Sequence, residues 1–70
     1  KVSTLVNDDI VINAAVNYQF VLTDINGKTI ATGTGLKGIN HLNVSNQSRG
    51  MYIIQLFNND QRQTERIIRQ

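Results

Sequence analysis

Apolar residues in this chain come in short runs, each closed by asparagine, aspartate or glycine. Leu5-Val6 and Ile10-Val11-Ile12 are broken by Asn7-Asp8-Asp9 and by the stretch from Asn13 to Asn17. Residues 18–25 put Tyr18, Phe20 and Leu22 on one face of an extended segment and Val21 and Ile25 on the other, the period of two that a strand imposes. Further runs at 28–33, 39–44, 51–57 and 62–69 are rich in residues suited to a pleated surface. Nothing recurs at helical spacing. Six or seven short strands in 70 residues predict an all-β sandwich or barrel.

The connections follow from the polar punctuation. Asn26-Gly27 is the strongest short hairpin signal in the chain, and it predicts a type I′ turn with Ile25 opposite Lys28. Asn58 to Gln61 predicts a second hairpin, without glycine, into the last strand. Gly33, Gly35 and Gly38 make the segment 32–38 read as a mobile loop where the chain crosses between sheets.

Composition narrows this picture. Seventy residues allow one small domain with a thin core, and with no cysteine stability must come from apolar packing, for which 40% apolar residues suffice. The chain starts at Lys1 and carries neither an export-signal pattern nor an apolar stretch long enough for a bilayer, so we read residues 1–70 as one domain of a longer secreted protein. Charge is uneven: residues 1–27 carry −2 and residues 28–70 carry +4, with Arg62, Arg66 and Arg69 in the last nine positions. Such a tail suits an acidic partner or a nucleic acid, although a charged edge strand that resists aggregation is the commoner explanation.

Candidate chemistry is sparse. His41 is the only histidine, and a lone strand histidine is ordinarily structural. Asp8 and Asp9 are adjacent, so on a strand they face opposite ways; with Asn7 they read as a turn, and no spaced calcium loop accompanies them. The segment 33–38 has glycines reminiscent of a phosphate loop but no helix pattern after it. Tyr18, Phe20, Tyr52 and Phe57 sit within apolar runs and read as core, which removes the exposed aromatic platform that nucleic-acid binding needs. No tryptophan is present to serve a sugar site, and Asn43-Val44-Ser45 and Asn46-Gln47-Ser48 match the glycosylation pattern in a chain with nine asparagines, where chance matches are frequent. No catalytic residue, metal site or cofactor is expected.

The order of motifs carries more than any one of them. An apolar strand runs into Asp24-Ile25-Asn26-Gly27-Lys28, a glycine-bearing segment leads to Gly50-Met51-Tyr52, and Arg66-Ile67-Ile68-Arg69 lies in a charged final strand. Over roughly residues 10–70 this resembles the C-terminal sorting domain, type A, of the type IX (Por) secretion system. Asp24, Gly27 and Lys28 match its first motif, Gly50 and Tyr52 its second, and the Arg66–Arg69 cluster its basic, branched terminal strand, with arginine in place of lysine. The Pro-Asn-Pro often found before the first strand is missing, and Gln47 stands where leucine is usual.

The resemblance implies an Ig-like antiparallel β-sandwich of about seven strands with Greek-key connections. It also implies a folded secretion signal that catalyses nothing. Its cargo crosses the periplasm, meets a shuttle protein and the outer-membrane translocon, and in many cases loses the domain to a sortase at the cell surface. We expect Asp24, Gly27, Lys28, Gly50 and Tyr52 to maintain the fold, and Arg66, Ile67, Ile68 and Arg69 to be read by the translocon on an edge strand. No nucleic acid and no membrane insertion are expected, and weak pairing of copies through exposed edges is. The rival is a structural or carbohydrate-binding accessory module of a secreted hydrolase.

Overall fold

A computed structural model describes Val2 and residues 4–70. Seven strands form among the described residues: β1 (Leu5–Val6), β2 (Asp9–Ala14), β3 (Tyr18–Asp24), β4 (Thr29–Gly35), β5 (Gly38–Asn43), β6 (Gly50–Phe57) and β7 (Arg62–Arg69). They build a five-stranded sheet in the order β1-β7-β6-β3-β4 and a two-stranded sheet of β2 and β5. The run β7-β6-β3-β4 follows the order of the G, F, C and C′ strands of an immunoglobulin sandwich, and β2-β5 that of its B–E pair. The fold is thus the expected all-β, Ig-like sandwich. One pair departs from the antiparallel rule: β1 runs parallel to β7.

The core lies between the sheets, where alternation puts it. Ile10 and Ile12 of β2 meet Tyr18 and Leu22 of β3, Tyr52 and Ile54 of β6 and Ile67 of β7, with Val2, Val6 and Val44 closing the ends. Ile54 and Ile67 are 0% exposed. Burying such a side chain contributes roughly 1.5–3 kcal/mol, so these few residues dominate the stability of so small a domain. Phe20 is half-buried against the same cluster.

The β3–β4 hairpin forms where expected, by a different turn. The Gly27 N–H donates to the Asp24 carbonyl at 3.1 Å and the Asp24 N–H to the Lys28 carbonyl at 2.9 Å, so Asp24, not Ile25, lies opposite Lys28. Among the described residues none other than glycine has positive φ, and Gly27 alone in this turn does, at 87°. The result is a three-residue loop in which glycine takes the left-handed position after an ordinary turn. The Asp24 side chain explains the choice: its Oδ1 accepts from the Asn26 N–H at 2.9 Å and the Lys28 N–H at 3.0 Å. That carboxylate holds Asn26 in a right-handed turn, with no need for the mirror-image one.

The glycine-rich segment is not a loop. Gly33 and Gly35 lie within β4, opposite Phe20 and Tyr18, and Gly38 opens β5. Only Leu36 and Lys37 remain as the connection, and the change of sheet does occur there. The 58–61 hairpin forms as expected, with the Asn58 N–H donating to the Gln61 carbonyl at 3.0 Å. Asn58 substitutes for the missing glycine, since its Oδ1 accepts from the Asp60 and Gln61 N–H groups, both at 2.9 Å.

Candidate recognition surface

The last strand was expected to stand at a sheet edge. Instead β7 lies between β6 and β1, and β1 covers its end through the pairs Leu5–Ile68 and Val6–Arg69. The Ile68 N–H donates to the Thr4 carbonyl and the Gln70 N–H to the Val6 carbonyl, each at 2.8 Å. Only the beginning of β7, from Arg62 toward Ile67, has no β1 residue paired beside it.

Alternation along β7 then divides the four expected recognition residues into two pairs. Ile67 faces inward opposite Tyr52 and is fully buried, whereas Arg66 opposite Ile53 and Ile68 opposite Met51 are exposed on the outer face. Arg69 shares the inward direction of Ile67 and is absorbed by the fold. Its Nε donates to the Val44 carbonyl at 2.9 Å and its Nη2 to the Ser45 carbonyl at 3.3 Å. Asp8 Oδ1 stands 3.7 Å from the same Nη2. The arginine therefore fastens the end of β7 to the β5–β6 connection. Arg62, at the other end of the strand, stacks over Phe57, 5.7 Å from the ring centroid.

The residues expected to maintain the fold occupy fitting places. Gly50 has φ of 142°, a backbone region that side chains avoid, and a β-carbon there would meet open space, so conformation and not crowding requires glycine. Tyr52 is buried and its hydroxyl donates to the Ser48 carbonyl four residues upstream at 2.6 Å, the tyrosine corner typical of the F strand of Ig-like sandwiches. Asp24 and Gly27 shape the turn described above. Lys28 contributes backbone there, and its side chain is in no ion pair among the described residues.

Asp8 and Asp9 part as alternation requires. Asp8 turns toward Arg69, while Asp9 accepts from Asn43 Nδ2 at 3.2 Å and lies 3.6 Å from Nδ1 of the exposed His41. Asn43 is engaged in its own turn, its Oδ1 accepting from the Ser45 N–H at 3.1 Å and hydroxyl at 2.7 Å. What the sequence does not show is the part played by Val44. Its N–H donates to the Asp8 carbonyl at 2.7 Å and its carbonyl receives Arg69, which makes it the junction between the β1–β2 turn and the last strand.

Fold, tyrosine corner and motif order together define a small Ig-like domain whose distinctive features gather around its last strand. The sequence model of the secretion system C-terminal sorting domain matches residues 6–70. The chain belongs to that family, and its function is that of a C-terminal sorting signal for type IX secretion. This decides against the accessory-module reading. Members of the family are secretion signals and not catalytic domains. Neither a curated protein nor a solved structure gives a significant match to the chain.

Proposed function

We propose that this domain is read as a folded object by the type IX shuttle and translocon, and that it carries its cargo from the periplasm to the cell surface without performing chemistry of its own. The observation that carries this is the division of β7: Ile67 and Arg69 hold the strand in place, and Arg66 and Ile68 are displayed. Of the four residues first assigned to recognition, those two meet the translocon, and the inward pair keeps them in register. Removal of the domain by a sortase would follow delivery. The outer edge of β4, free of charge from Thr29 to Gly35, is where copies would pair weakly in concentrated solution.

The test is a periplasmic reporter fused ahead of residues 1–70 and expressed with and without the type IX apparatus. Surface reporter should appear only with the apparatus. Deleting residues 65–70 is a poor control, because it removes the fully buried Ile67 and so the fold. Arg66→Ala with Ile68→Ala is the informative variant, expected to fold normally and to lose delivery. Normal delivery of a folded double variant would refute the assignment of these two residues.

A further inference from the structure

The outer face of the five-stranded sheet carries an apolar row that the fold does not use. Leu5 of β1 pairs with Ile68 of β7, which pairs with Met51 of β6, so the three are neighbours on one face. They are 62%, 42% and 40% exposed. Half-buried Ile53 continues the patch beneath Met51, opposite Arg66. A depression of about 440 Å³ beside it is lined by Thr4, Ile53, Thr64, Glu65 and Arg66.

The outward side chains of β3, β6 and β7 carry charge of one sign, with Glu65 lining the depression. Alternation from the buried Ile54 and Ile67 gives the outward positions of β3, β6 and β7 as Gln19, Val21 and Thr23; Met51, Ile53, Gln55 and Phe57; and Arg62, Thr64, Arg66 and Ile68. None is a carboxylate. Glu65 pairs with Ile54 on the opposite face, and its Oε1 accepts from Gln63 at 3.1 Å. Exposed Arg49 and Lys28 lie at the same end of the sheet, and neither they nor Arg66 is in an ion pair among the described residues.

The structure assigns this row as a docking surface for a protein segment that presents apolar side chains flanked by aspartate or glutamate. The assignment rests on the sorting function and names the chemistry that would recognise it. Charge selects the occupant. A second copy meeting this face about a two-fold axis would set arginine against arginine with no outward carboxylate on β3, β6 or β7 to receive either. Anionic lipid surfaces recruit contiguous clusters of about 4–8 cations, whereas only Arg66, Arg49 and Lys28 rim this row, Arg62 lying over Phe57 at the far end of β7. An acidic, apolar segment satisfies both the row and its rim, and charge of that kind speeds encounter as well as selecting partners.

The experiment uses the reporter fusion in cells with the intact apparatus. Met51→Ser with Ile68→Ser, and separately Arg66→Glu, should lower surface reporter at least tenfold. Thr34→Glu, on the far strand of the same sheet, should leave it within twofold, with all purified variants melting near the parent. A photo-crosslinking residue in place of Met51 should capture a protein segment containing Asp or Glu. Delivery unchanged in the folded Met51/Ile68 variant, or a crosslink to a second copy or to lipid, overturns the docking surface. A parent fusion that reaches the surface equally without the apparatus overturns the sorting reading instead, so the two failures are told apart.

Discussion

The ring of Tyr18 fills the space that Gly35 leaves by having no side chain. A β-carbon built on Gly35 would overlap the far end of that ring, and one built on Gly33 would stand 3.0 Å from Phe20 Cε2. The glycines of β4 are seats for the aromatic residues of β3, and neither has the positive φ that would require glycine for backbone reasons.

Gly35→Ala should therefore destabilise the domain by about 1–3 kcal/mol, the usual cost of forcing extra volume into a packed site. Gly33→Ala should cost less, since Phe20 is only half-buried and can give by a few tenths of an ångström. Urea unfolding of both variants checks the order. Equal stability of Gly35→Ala and parent would mean that the Tyr18 ring moves freely.

Arg69 and Asp8 should separate hydrogen bonding from ion pairing. Arg69→Ala removes bonds to the Val44, Ser45 and Gln70 backbone oxygens from a largely buried guanidinium, and a loss of about 1.5–3 kcal/mol is expected. Asp8→Asn removes only a 3.7 Å pairing with an exposed carboxylate and should change stability by less than about 1 kcal/mol. Comparable effects in the two variants would show that the ion pair, not the carbonyl contacts, secures the strand.

Gly50→Ala should cost about 1–3 kcal/mol through backbone strain alone, because no neighbour stands near its missing side chain. Tyr52→Phe should cost about 0.5–1.5 kcal/mol for the bond to Ser48. Thermal melts resolve both. A Gly50→Ala variant as stable as the parent would mean that the strand can enter without a left-handed residue.

Alkali should weaken the domain through Tyr18. Burial pushes its phenol above the ordinary value of 10.0, and a hydrogen bond with Asn40 acts in the opposite direction. With the folded value raised, the unfolded chain gives up this proton first as pH climbs, so it binds fewer protons and stability falls above about pH 10. In Tyr18→Phe that decline should be shallower when urea midpoints are followed from about pH 9 to 11. Parallel declines in parent and variant would remove Tyr18 as the cause.

The sequence showed its strands plainly because period-two alternation is what a half-buried sheet requires, and Tyr18, Phe20 and Leu22 do share the inner face. It misled at two glycine sites for one reason. Asn-Gly implies the mirror-image turn only when no side chain intervenes, and Asp24, four residues before Lys28, supplies the acceptor that changes the turn. Gly33 and Gly35 read as loop because their purpose depends on rings in another strand. The terminal cluster read as a single motif. Only the register with Tyr52 and Met51 shows that Ile67 and Arg69 point one way and Arg66 and Ile68 the other.

The parallel contact of Leu5 and Val6 with Ile68 and Arg69 brings the first strand of the domain against its last. A domain cut within the second half of β7 loses this clasp, and β1 is left with no strand to lie against. The label would thus be legible only on an intact domain, and export would be withheld from damaged copies with no separate inspection step.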